Sequence, residues 1–157
     1  MPSFQKMASF TSMDLSIIIP VYNEASKIAR DISDANDFLI RNGLSGEIII
    51  VDDGSWDNTV KKVKEIIPIV KNSVQLIEYI HKGKGRAVKM GILKARSDIV
   101  MFIDSGSCVP YDNILRGLGL VQNNECDIAH GSRLLAGSRI KGKTLNRRIS
   151  SWIFRRI

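Results

Sequence analysis

The chain has 157 residues, is 44% hydrophobic and carries a formal net charge of +7, which is enough apolar material for one core and points to one domain rather than two. No apolar run approaches the roughly 18 to 20 residues of a membrane-spanning helix, and Met1 to Met13 lack the basic opening and apolar centre of a signal peptide, so the sequence reads as a cytosolic chain. The charge is gathered at one end: from Gly131 onward stand Arg133, Arg139, Lys141, Lys143, Arg147, Arg148, Arg155 and Arg156 with no acid among them, a stretch suited to a polyanion.

Residues 1 to 13 read as a loose leader without periodicity, and 14 to 157 as the domain. Leu15-Ser16-Ile17-Ile18-Ile19-Pro20 predicts a buried strand broken at Pro20, because proline cannot donate to a central ladder. Val21 to Glu24 is then a loop at its carboxyl end. From about Ala25 to Arg41, apolar residues recur at helical steps through Ile28, Ile32, Ala35, Phe38 and Leu39, and Asn42-Gly43 closes the helix. Ile48 to Val51 is a β-branched run with no polar face, suited to a strand covered on both sides in a parallel sheet. It ends abruptly in Asp52-Asp53-Gly54-Ser55, where Gly54 permits a sharp turn and Ser55 or Asp57 can cap the next helix.

That helix is predicted over about 58 to 71, kinked or ended by Pro68. Val74 to Ile80 predicts a third strand, and Lys82-Gly83-Lys84-Gly85-Arg86 a flexible basic loop before a helix over about 87 to 94. Ile99 to Ile103 predicts a fourth buried strand ending in Asp104. A helix over about 111 to 122, a short strand near 127 to 130 and a basic helix over about 145 to 157 complete the reading. Alternating strands and helices imply an α/β fold with a parallel sheet, in which ligands bind outside the carboxyl ends of the strands.

Three such ends, Pro20 to Glu24, Asp52 to Ser55 and Asp104 to Ser107, bring a tyrosine ring and several carboxylates toward one cleft. Tyrosine offers a stacking face, carboxylates accept from base N–H or ribose hydroxyl groups, and Asp104 opposite a basic loop suits a divalent cation bound to phosphates. A nucleotide-like ligand is expected there. Cys108 and Cys126 lack metal-ligand spacing and read as buried or neutral thiols. His81 and His130 have no metal-partner pattern and are not expected at the ligand. Gly83 to Gly85 lacks the third glycine of a dinucleotide fingerprint. Nucleic acid is not expected as a partner, since the aromatics do not interleave with the basic residues.

The ordered motifs Ile18-Ile19-Pro20-Val21-Tyr22-Asn23-Glu24, Ile50-Val51-Asp52-Asp53-Gly54-Ser55, Gly83-Lys84-Gly85-Arg86-Ala87, Phe102-Ile103-Asp104 and Gly131-Ser132-Arg133 resemble family 2 glycosyltransferases of GT-A fold, in particular the dolichyl-phosphate glucosyltransferase and polyprenyl-phosphate sugar synthase branch. The resemblance implies a Rossmann-like, mostly parallel sheet flanked by helices, with the C-terminal part of the usual domain missing. It implies an inverting transfer of a sugar from a UDP- or GDP-sugar to a polyprenyl or dolichyl phosphate at the cytoplasmic face of a membrane. Pro20, Tyr22, Glu24, Val51 and Asp53 then hold base and ribose, Asp52 supports the turn, and Arg133 and Arg148 face the diphosphate or the acceptor phosphate. Lys84 is a further cation for the leaving diphosphate.

Asp104 matches the first acid of the family's Asp-x-Asp motif, so Mg²⁺ or Mn²⁺ is expected, but Gly106 stands where the second acid would be and Ser107 is a substitute ligand to consider. The alternative reading is an inactive or fragmentary relative that keeps the nucleotide pocket. The segment Leu145 to Ile157 sets Leu145, Ile149, Trp152, Ile153 and Phe154 near one side of a helix with arginines elsewhere, suited either to an anionic membrane surface or to packing on the sheet. Pairing with a second copy of the chain is left open.

Overall fold

The computed structural model describes residues 13–106 and 111–131. The leader up to residue 12, Ser107, Cys108, Arg133, Arg148 and the basic segment from Leu145 lie outside the described residues. In order, the elements are β1 (Leu15–Val21), α1 (Ile28–Arg41), β2 (Gly46–Asp52), α2 (Thr59–Ile66), β3 (Ser73–Glu78), α3 (Lys84–Lys94), β4 (Val100–Phe102) and α4 (Asp112–Gln122). The strands form one four-stranded sheet of order β3-β2-β1-β4. All three pairings are parallel.

The β-branched runs sit where their lack of a polar face requires. Ile17, Ile18 and Ile19 pair with Ile48, Ile49 and Ile50, and all six are fully buried. Successive side chains point to opposite faces. One face carries Ile18, Ile49 and Val51 against Ala87 and Met90 of α3. On the helix side of α1, Ile28, Ile32, Ala35, Phe38 and Leu39 are buried, and α1 packs on β2 and α2. Gly91 allows α3 to approach β1 closely, since a Cβ there would lie 2.5 Å from Ile18 Cγ2.

Several boundaries differ from the sequence reading, each for a local reason. β1 runs through Pro20 to Val21. β4 pairs with β1 only as far as Phe102 opposite Ile18, so Pro20 has a strand neighbour on one side alone and its missing N–H breaks no ladder. Residues 25 to 27 form turns before α1. α2 ends at Ile66, ahead of Pro68.

α3 begins at Lys84 rather than Ala87, so Lys84, Gly85 and Arg86 of the predicted basic loop are helical. β4 is short and not buried, with Phe102 54% exposed, because it is the edge of the sheet. The chain divides into two compact units, the first ending at Arg116 and the second opening at Gly117. In the second, α4 ends in a turn with Asn124 at φ 57° and Glu125 N donating to the Leu120 oxygen at 2.9 Å. The expected strand near 127 to 130 does not form.

At the amino ends of the strands a buried charge is satisfied by a network. Glu47, 1% exposed, accepts at Oε1 from Ser16 Oγ at 2.7 Å and Arg96 N at 2.8 Å, and at Oε2 from Arg96 Nε at 2.8 Å. Burial alone pushes its carboxyl up, but the hydrogen bonds from Ser16 and Arg96 and the Arg96 charge outweigh that and hold it below its ordinary value. A depressed folded value means a contribution that is full above the ordinary glutamate value of 4.5 and is lost as pH falls through the folded one. Glu47→Gln is therefore expected to cost about 1 to 3 kcal/mol at pH 7, with the gap to the parent chain narrowing in urea melts as pH falls below 4.5. A gap independent of pH contradicts this.

Candidate functional site

The carboxyl ends of β1 and β2 are joined by hydrogen bonds between their loops. Asn23, at φ 55°, donates from its main chain to Ser55 Oγ at 2.8 Å and accepts at Oδ1 from Trp56 N at 3.0 Å. Glu24 N donates to Thr59 Oγ1 at 2.8 Å and Ala25 N to Asp57 Oδ2 at 3.2 Å. Asp57 also accepts from Thr59 N at 2.9 Å, one position before the N-cap Asn58. Of the two expected caps, Asp57 thus serves α2 while Ser55 turns to the neighbouring loop. The hydroxyl and main-chain N–H of Thr59 hold the Asp57 carboxyl below its ordinary value, against a smaller push from burial.

Asp52 and Asp53 divide their work. Asp52 Oδ2 accepts from Gly54 N at 3.1 Å and Ser55 N at 2.9 Å, closing the turn in which Gly54 takes φ 78°. Asp53 reaches across to the loop after β3. Its Oδ1 accepts from Lys82 N and its Oδ2 from Gly83 N, both at 2.8 Å. His81 Nδ1 lies 2.8 Å from Asp53 Oδ2 and 3.0 Å from the Asp53 main-chain oxygen, so that nitrogen is assigned the proton. The His81 ring then stacks on Tyr22, with centroids 4.3 Å apart and planes at 29°.

These loops border a cleft of about 370 Å³, within the roughly 300 to 1,000 Å³ usual for small-molecule sites. Pro20, Val21, Tyr22 and Glu24 come from the end of β1, Asp53 from the end of β2, His81, Lys84 and Ala87 from the start of α3 and its loop, and Asp104 and Ser105 from the loop after β4. Lys84 Nζ forms an ion pair with Asp104 Oδ1 and lies 5.7 Å from the Phe102 ring centroid. Asp31 of α1, 4% exposed, accepts from Ser105 Oγ at 2.8 Å and Gly106 N at 2.9 Å. Beside it, burial and then the charges of Asp31 and Asp34 push the Tyr111 hydroxyl far above its ordinary value.

Of the residues singled out in the sequence, Pro20, Tyr22, Glu24, Asp53, Lys84 and Asp104 border this cleft together. Val51 does not: it is fully buried in the core under α3. Asp52 lies in the turn, away from the lining. Arg133 and Arg148 lie outside the described residues. His81, expected away from the ligand, stands in the wall, and His130 is exposed. Ser105 belongs to the loop expected at the cleft but was given no role, and sequence reasoning passed over Asp31. For His81 the available signal was its place just before the basic loop; for Asp31 it was a carboxylate among the mostly apolar buried residues of α1.

Residues 16–157 match the family described as Glycosyl transferase family 2. The chain is 34% identical over 129 residues to a dolichyl-phosphate beta-glucosyltransferase of Dictyostelium discoideum, covering 76% of this chain and 39% of that one. It is 32% identical over 140 residues to a dolichol-phosphate mannosyltransferase of Pyrococcus furiosus, covering 88% and 38%. It thus spans about two fifths of the length of these relatives. Among solved structures, a glucosyl-3-phosphoglycerate synthase from Mycobacterium tuberculosis in complex with Mn²⁺, UDP-glucose and glycerol 3-phosphate aligns with TM-score 0.57 at 22% identity, covering 73% of this chain and 42% of that one. The likeness establishes a shared α/β fold of the GT-A kind.

Asp53 should govern the order of the loop after β3. Asp53→Ala leaves the Lys82 and Gly83 amides without their acceptor and is expected to cost about 1 to 3 kcal/mol. Hydrogen exchange at those two amides should quicken, while the Asn23 amide, held by Ser55 Oγ, keeps its protection. Unchanged exchange at Lys82 and Gly83 contradicts the assignment.

Proposed function

The chain belongs to glycosyl transferase family 2, and we propose that its cleft takes the donor of a sugar transfer, a UDP- or GDP-sugar, for delivery to a polyprenyl or dolichyl phosphate. The observation that carries this is the meeting of the loops after β1, β2, β3 and β4 at one cleft, beside the point between β1 and β4 where the strand order reverses, the usual ligand position in such sheets. Tyr22 and His81 supply a stacked aromatic edge for a base, and Glu24 supplies an acceptor for ribose hydroxyl groups. Lys84 supplies positive charge for the diphosphate.

In the transfer, an oxygen of the acceptor phosphate bonds to the anomeric carbon while the bond from that carbon to the diphosphate oxygen breaks. The nucleoside diphosphate leaves with the electron pair, and the configuration inverts. A phosphate oxygen is already anionic near neutral pH, so the step needs no general base. The protein's task is to align the two anionic reactants and offset charge on the leaving group. In the proposal the work is done at a membrane surface, on its cytoplasmic side, and the names of the relatives support the lipid-phosphate acceptor class. Among the described residues no helix is long and apolar enough to cross a membrane. In the proposal, Arg133, Arg148 and the basic C-terminal segment serve the acceptor phosphate and the anionic surface.

A divalent cation is implied by the family motif and is present in solved structures of similar fold. The described residues of this chain do not fit one. Asp104 is engaged by the Lys84 ammonium, position 106 is glycine, and among the described residues no group of three or more His, Cys, Asp or Glu side chains is placed to hold a metal. No step is therefore assigned to a metal here.

The test is a melt with UDP-glucose and with GDP-mannose, followed by incubation with dolichyl phosphate. A donor at 100 times its Kd is expected to raise stability by about 2.7 kcal/mol, and transfer to yield a lipid-linked sugar of inverted anomeric configuration. Donor binding without lipid product supports the inactive relative instead. Absence of binding by both donors contradicts the proposal.

A further inference from the structure

Resting on the donor reading above, we infer that Lys84 takes the place of the divalent cation, so that a nucleoside diphosphate binds in this cleft through a protein ammonium and without metal. The departure in the motif is more than a missing acid. Gly106 adopts φ 99°, a left-handed conformation that side-chain-bearing residues avoid, and its N–H is committed to Asp31 at 2.9 Å. The turn is built around glycine, with no space in its backbone conformation for an unstrained second carboxylate. Asp31 fixes the same turn again through Ser105 Oγ at 2.8 Å.

What the turn presents is Asp104, and what meets Asp104 is Lys84. The ammonium is held from a second side by the Phe102 ring, 5.7 Å to the centroid. It is nonetheless about half exposed, at 54% for the Lys84 side chain, and it borders the cleft. An ammonium has three donors; one serves Asp104 and two are left for phosphate oxygens. The first turn of α3 contains no acid to compete for them. Asp104 thereby acts as the anchor of a cation supplied by the chain, not as the ligand of a cation supplied by solution.

A thermal-shift titration of the 157-residue chain with UDP and with GDP, in EDTA and in Mn²⁺, separates the possibilities. The nucleotide that binds should do so equally in EDTA. Lys84→Gln should weaken it about tenfold or more, as loss of a charge-assisted hydrogen bond does, while Lys84→Arg keeps most of the affinity. Asp104→Asn should tighten metal-free binding, because a negative charge facing the diphosphate is removed while the amide oxygen of the asparagine still accepts from the ammonium. Both positions are exposed, and a cooperative melt reports that each variant is folded. A shift that needs Mn²⁺ and disappears in Asp104→Asn overturns the inference and leaves the donor reading standing. No shift with either nucleotide in either condition overturns both.

Discussion

Asp53 stands at the end of a buried strand with its carboxylate turned toward the main chain of another loop, and the arrangement of the site follows from that contact. By accepting from Lys82 and Gly83 it fixes where the chain leaves β3 and where α3 begins. His81 is placed by the same carboxylate, which sets its ring on Tyr22. Lys84, first residue of α3, is then directed to Asp104. The neighbouring Asp52 faces its own turn. Two adjacent acids therefore order two loops, and a parallel sheet whose loops would each be free gains a defined cleft at its carboxyl end.

The opposite end of the sheet uses a carboxylate differently. Glu47 binds a hydroxyl of β1 and both the main chain and side chain of Arg96, tying two central strands to the segment after α3. Both of its oxygens accept hydrogen bonds within the protein, and the carboxylate is nearly inaccessible. At the cleft, in contrast, Lys84 and Asp104 are half exposed, and an exposed pair contributes little to stability. Its placement is better explained by what it offers to a ligand. Charged groups thus stand at both ends of the sheet, a buried carboxylate at one and a half-exposed ion pair at the other.

The parts of this organisation that were legible in the sequence are those carried by adjacent residues. The run Ile48 to Val51 announces a doubly covered strand, and Asp52-Asp53-Gly54 announces its end, because burial, turn and charge are all encoded within seven positions. The order of motifs gave the family, which the match over residues 16–157 supports. What was not legible depends on partners distant in the chain. Nothing around His81 reveals that Tyr22 and Asp53 flank it, and nothing around Asp31 reveals the Ser105–Gly106 turn. Pro20 was read as a strand breaker because the shortness of β4, which spares it a second neighbour, is a property of the sheet. Ile99 to Ile103 looks as buried as the central strands by composition, but its edge position exposes Phe102.

The central claim is that the carboxyl-end cleft holds a nucleoside diphosphate, and amide chemical-shift mapping during addition of UDP or GDP tests it most directly. The account predicts perturbations concentrated at Tyr22, His81, Lys82, Gly83, Lys84 and Ser105, with the amides of Glu47 and Arg96 unmoved at the far end of the sheet. Perturbations absent from that set, or confined to the basic segment beyond Gly131, would contradict it.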